Sequence, residues 1–289
     1  MIGARAEARR PRTPPRGDSR GDRGSTTVTI RYARRTRRTL QATGAGAAVL
    51  LLLSACSSSS ESSESAGTVT VFAAASLQES FTKLGARFEK EHPGTKVTFS
   101  FGGSDTLAAN ITGGAPADVF AAASPKTMAI VTDAEDVTGT PATFARNELQ
   151  IATLPGNPDG ISSLKDLTKS GLKVVLCEET VPCGAAARTA LRTAGLDVTP
   201  VSYEQDVKGA LTKVELKEAD AALVYRTDVR AAGDKVEGVD FPESAEAVND
   251  YPIAQLRNAP NPTAAEAFIE LVRSAEGQKV LTASGFLRP

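Results

Sequence analysis

From Thr68 onward, short apolar runs alternate with segments whose apolar residues recur at helical spacing. This alternation confines the chain to an α/β architecture. Residues 68–73 (TVTVFA) read as a strand, and Leu77, Phe81, Leu84 and Phe88 mark one face of the helix that follows. Residues 96–101 alternate as a strand does and lead into a helix over 106–111. Further strands are expected at 119–122, 148–153, 172–177, 221–225 and 252–256. Helices are expected at 185–194, at 206–218 and at 263–282, the last turning Ala267, Phe268, Leu271, Val272 and Leu281 toward a core. No internal repeat is present, and the 234 residues beyond position 55 suffice for two modest lobes, with the Pro155-Gly-Asn-Pro158 turn near one crossing.

A second pattern lies at the junctions. Ser76 stands between a strand and a helix, Ser104 follows Phe101-Gly-Gly in the same context, Cys183-Gly184 separates the next such pair, and Asp206-Val207 opens another helix. The first backbone N–H groups of a helix lack internal partners and carry about half a positive charge. Any one of these hydroxyls is explained by helix capping alone, worth about 1 kcal/mol. Four together, gathered at the carboxyl ends of strands, supply on the order of two positive charges and suit a tetrahedral dianion without lysine or arginine.

The leader is a separate object. Twelve arginines precede position 41 against three acids, a net +9, which leaves −10 for the rest of a chain whose total is −1. An acidic body does not suit nucleic acid, whose phosphates require a basic surface. One His, no Trp and no glycine-rich phosphate loop also disfavour haem and nucleotide enzymes. The uncharged run at 40–55 is short for a membrane span and suits the core of an export signal. Its end, Leu53-Ser54-Ala55-Cys56, resembles the lipobox of bacterial lipoproteins, which implies cleavage before Cys56 and acylation of its sulfur. Ser and Glu residues through position 67 then make a flexible tether.

The segments VFAAASL (71–77), FGGSDTL (101–107), GAPADVF (114–120), VPCG (181–184), Asp206-Val207 and LVY (223–225) resemble the periplasmic molybdate-binding proteins of bacterial ABC transporters, over residues 68–286. The resemblance implies a two-lobed α/β fold of the type II periplasmic binding proteins, each lobe a mixed sheet flanked by helices, closing on molybdate or tungstate. It implies ligand contacts from the Ser76 and Ser104 side chains, the backbone N–H groups of Cys183 and Val207, and the Tyr225 hydroxyl. It implies a cleaved signal peptide at 1–55, Cys56 and the tether at 56–67, one lobe at 68–147, the other at 148–250 and a return to the first at 251–289. The protein is then a lipid-anchored, extracytoplasmic monomer, not an enzyme, that needs no cofactor or cation site and hands its anion to an ABC permease. Two positions depart from the pattern. Cys183 replaces a common Ala, which a backbone contact tolerates, and Asp105 brings a carboxylate that would repel a dianion unless turned outward.

The remaining reactive residues are few. Cys177 and Cys183 lie on the exported side, where a disulfide is the first choice over two free thiols; two Cys with no nearby His leave a zinc tetrahedron incomplete. A serine hydrolase would depend on His92, the sole imidazole, and no Ser sits in a nucleophile-elbow motif. Asp118, a lone carboxylate, is expected to bind loop amides. A binding protein for sulfate or another tetrahedral oxyanion is the alternative within the same class.

Overall fold

The computed structural model describes residues 67–289. The expected signal peptide, the lipidation site at Cys56 and the tether through Ala66 lie outside the described residues. The first lobe opens with β1 (Gly67–Ala74), turns through a 3-10 segment at Ala75–Leu77 into α1 (Gln78–Glu91), and continues with β2 (Thr95–Gly102), α2 (Ser104–Thr112), β3 (Val119–Ala121), α3 (Pro125–Asp133) and β4 (Val137–Asn147). The chain crosses at Glu148 and builds the second lobe from β5 (Leu149–Thr153), β6 (Val174–Cys177), α4 (Pro182–Thr193), β7 (Ser202–Glu204), α5 (Val207–Glu215), β8 (Ala221–Tyr225), α6 (Arg226–Ala232) and β9 (Glu237–Val239). It returns with β10 (Asn249–Leu256) and ends in α7 (Pro262–Arg273) and α8 (Ala275–Ala283).

Each lobe is built on a five-stranded mixed sheet, ordered β2-β1-β3-β10-β4 in the first and β7-β6-β8-β5-β9 in the second. Both sheets follow one plan. In the first, β1 pairs parallel with β2 and β3 while β10 runs antiparallel to β3 and β4; in the second, β6 pairs parallel with β7 and β8 while β5 runs antiparallel to β8 and β9. The parallel strands explain the position of the helix starts: each must be followed by a crossover, so the helices begin at the carboxyl ends of the strands.

The apolar faces read from the sequence meet in the cores. Phe81, Leu84 and Phe88 of α1 pack with Phe144, Phe268 and Val272 on one face of the first sheet, and Phe81 meets Phe268 edge to face at 5.9 Å. Leu107, Ile111, Phe120, Met128 and Val131 fill the other face. The second lobe buries strands read as continuous apolar runs, such as Val174–Cys177 and Ala221–Tyr225, with all nine residues inside.

The sequence reading assigned no element at α3, β7, α6 or β9, and three further features differ from it. The stretch 263–282 is two helices, broken at Ser274, whose Oγ accepts Gly277 N–H and caps α8. Residues 137–147, assigned no element, form the longest strand among the described residues. The Pro155–Pro158 turn follows β5 inside the second lobe, so the crossings fall at Glu148 and between β9 and β10 instead.

Candidate functional site

Ser76 lies in the 3-10 turn after β1, buried, and its Oγ shares a 2.8 Å hydrogen bond with Tyr251 Oη. Ser104 is the first residue of α2, also buried, and its Oγ accepts Ala123 N–H at 3.0 Å. Cys183 is the second residue of α4, after Val181 and Pro182, and Val207 is the first of α5. Tyr225 ends β8, fully buried, and its Oη accepts Asn249 Nδ2–H at 2.9 Å. The fold brings all five sequence-predicted residues into the lining of one pocket, with Ser76 and Ser104 from the first lobe and Cys183, Val207 and Tyr225 from the second.

That pocket measures about 20 Å³. A water takes roughly 10–15 Å³ by the same measure, whereas pockets for drug-sized ligands hold roughly 300–1,000 Å³. In this conformation the space fits one compact group. A larger hollow of about 800 Å³ lies between β4, α8 and the C terminus and contains none of the five; other hollows also lie between the lobes, but the small pocket is the one that gathers all five.

The electrostatics come from neutral donors. Among the described residues no side chain caps the 3-10 turn, α2 or α4, so their first N–H groups are left for an external acceptor. Asp206, the one carboxylate in the lining, accepts Gly209 N–H at 2.9 Å and so serves its own helix. The hydroxyls are polarised in one direction. Ser104 and Tyr225 already accept an N–H from the protein, which leaves their protons for a ligand. Burial pushes the Tyr225 hydroxyl well above the ordinary tyrosine range, so it stays a donor.

The turn that presents the Cys183 amide is braced twice. Cys177 at the end of β6 is joined to Cys183 by a disulfide, with Cα atoms 5.8 Å apart. Gly184 follows because a Cβ there would fall on the Glu178 carbonyl. Asp105 is not turned outward: its Oδ1 is buried without a hydrogen-bond partner, although the residue does not line the pocket. Asp118 accepts Thr70 N–H at 2.7 Å and Asn261 N–H at 2.6 Å, tying loops of the first lobe together. His92 closes α1 with its ring stacked on Phe88 at 4.2 Å and is not among the lining residues of the pocket.

Sequence reasoning missed the groups that hold the donors. Tyr251 and Asn249 of β10 bond to Ser76 and Tyr225, and Asn147 Nδ2 donates to Thr227 at 2.8 Å where the lobes meet. Beside them Lys208 approaches both Glu79 and Asp228. Burial raises the Asp228 carboxyl to about 6 against the opposing pull of Lys208. Burial acts to lower the Lys208 pKa, but the two carboxylates outweigh it and the net shift is upward.

Comparison with known proteins places these features in a family. Residues 69–287 match the model of the bacterial extracellular solute-binding protein family. The molybdate-binding protein ModA of Mycobacterium tuberculosis H37Rv is 44% identical over 224 residues, covering 78% of this chain and 86% of that protein. ModA of Escherichia coli K12 is 33% identical over 231 residues, covering 76% and 89%. The periplasmic molybdate-binding protein of Azotobacter vinelandii shares the fold, with a TM-score of 0.68 at 21% identity over 76% of this chain and 99% of its own.

Proposed function

The chain belongs to the bacterial extracellular solute-binding proteins, and from that membership we propose that it captures molybdate or tungstate outside the cytoplasmic membrane and delivers the anion to an ABC permease. One observation carries the choice of ligand. Five residues from two lobes, each able to supply a donor, line a pocket of about 20 Å³ with no cation in its lining.

Such a pocket selects by what it lacks. A fully ionised tetrahedral oxyanion offers only acceptors, and the hydroxyls of Ser76, Ser104 and Tyr225 and the N–H groups of Cys183 and Val207 can each donate to it. A protonated anion would replace one acceptor with an O–H and so leave one of these donors unmatched, and an unpaired buried polar group costs roughly 1–3 kcal/mol. Binding requires no bond-making, so the protein acts as a carrier. The lobes are joined by two crossings, the arrangement that allows hinge closure around a ligand. We place the lipid anchor at Cys56 on the strength of the lipobox, and we assign the carrier to the outer face of the membrane as a monomer.

Calorimetry and thermal shift with molybdate, tungstate, sulfate and phosphate test the proposal. Molybdate and tungstate are expected to bind with similar affinity and sulfate much more weakly. Tighter binding of sulfate would transfer the assignment to a sulfate carrier. No response to any oxyanion would remove the reading altogether.

A further inference from the structure

Three charged side chains link the lobes beside the pocket, and each stands close in sequence to a residue that lines it. Glu79 lies on α1, three positions beyond Ser76; Lys208 follows Val207 on α5; Asp228 lies on α6, three positions beyond Tyr225. Lys208 Nζ sits 2.8 Å from Glu79 Oε1 across the cleft and 3.1 Å from Asp228 Oδ1 within its own lobe. The other oxygen of Asp228 accepts Tyr225 N–H at 3.2 Å. The chain of contacts therefore runs from the first lobe, through Lys208, to the backbone of the tyrosine whose hydroxyl faces the pocket.

The burial of the three groups sets their roles. The Asp228 side chain is fully buried and the Lys208 side chain 21% exposed, whereas Glu79 is 39% exposed. A buried carboxylate left unpaired is strongly destabilising, so Lys208 is bound to Asp228 whatever the separation of the lobes. Glu79 stands on the opposite lobe, and its bond to Lys208 exists only at this separation. The lysine does not line the pocket, and its charge is spent on carboxylates, not on the anion.

From this geometry we infer that Lys208 is a positioning residue for anion capture, bridging Glu79 of one lobe to the Asp228–Tyr225 pair of the other so that closure of the cleft and seating of the tyrosine occur together. The inference rests on the carrier reading of the pocket, but it also has a consequence in the ligand-free protein: the bridge biases the lobes toward the closed form. A partly exposed ion pair contributes up to about 1 kcal/mol, which corresponds to about fivefold in affinity.

The test compares the purified protein with Glu79→Gln, Lys208→Gln and Lys208→Arg, by molybdate calorimetry and by small-angle X-ray scattering with and without molybdate. Glu79→Gln leaves the buried pair intact and is expected to weaken molybdate about fivefold and to enlarge the ligand-free radius of gyration. Lys208→Gln is expected to weaken binding at least as much, and adding Glu79→Gln to it should cost nothing further. Lys208→Arg should restore most of the affinity, which simple loss of packing would not predict. Affinity and radius in Glu79→Gln equal to wild type would overturn the bridge. Should wild type bind no oxyanion, the carrier reading fails, and scattering alone decides: a larger ligand-free radius in Glu79→Gln supports the bridge, an equal one overturns it.

Discussion

Tyr225 shows how one side chain becomes a ligand group. Its ring is buried against Tyr251 at 6.0 Å, its backbone N–H is held by Asp228, and its oxygen accepts from Asn249, which leaves one proton to donate. Tyr225→Phe deletes that proton and little else, because Asn249 Nδ2 keeps the Ala123 carbonyl at 2.7 Å. A hydrogen bond to a charged group contributes about 1.5–3 kcal/mol. Calorimetry of Tyr225→Phe should therefore show molybdate binding at least tenfold weaker, with a melting curve close to wild type; unchanged affinity would remove Tyr225 from the site. Ser104→Ala is a less clean probe, since it also strands the Ala123 N–H. At this scale Ser76, Ser104, Cys183 and Val207 were legible because hydroxyls and glycines at helix starts leave local marks, whereas Tyr225 came from the resemblance. Their holders were not: Ser76 and Tyr251 are 175 positions apart, and nothing near either one encodes the other.

Among the elements, α4 carries the most. Pro182 at its first position has no N–H to satisfy, and no side chain of the described residues caps the helix, so the first N–H of α4 without a side-chain partner is that of Cys183, a lining residue of the pocket. The disulfide closes a loop with a sequence separation of 6 and fixes this end of the helix to β6. A loop this short should contribute about 2 kcal/mol by restricting the unfolded chain. Replacing both cysteines by serine should lower the denaturant midpoint accordingly and weaken molybdate by loosening the Cys183 amide, whereas equal stability under reducing and oxidising conditions would show that the bridge is idle. Of the elements the sequence reading left unassigned, β4 is the longest strand. Gly139 and Pro141 are poor strand formers, yet β4 is an edge strand of its sheet, where a missing N–H and a missing side chain are tolerated. The break at Ser274 was hidden for the opposite reason: apolar spacing continues through it, and only the capping geometry divides α7 from α8.

For the whole molecule, charge and capture pull against each other. The body beyond the leader carries −10 and binds a dianion, so its long-range field opposes the encounter while helix ends and hydroxyls hold the anion once it arrives. Screening shortens the reach of that field from about 30 Å at 0.01 M salt to about 8 Å at 0.15 M. The association rate of molybdate, followed by stopped-flow tyrosine fluorescence, should rise over this range; a falling rate would mean that the local positive potential extends beyond the pocket. The sequence by itself determined the α/β class, the separation of a basic leader from an acidic body, and the residues at the helix starts, because periodicity, composition and capping chemistry are properties of neighbouring residues. Only the tertiary structure decided that four helix starts from two lobes meet in one pocket of about 20 Å³ and that Glu79, Lys208 and Asp228 bridge beside it, since these contacts depend on strand order and lobe approach, which bring together residues more than a hundred positions apart.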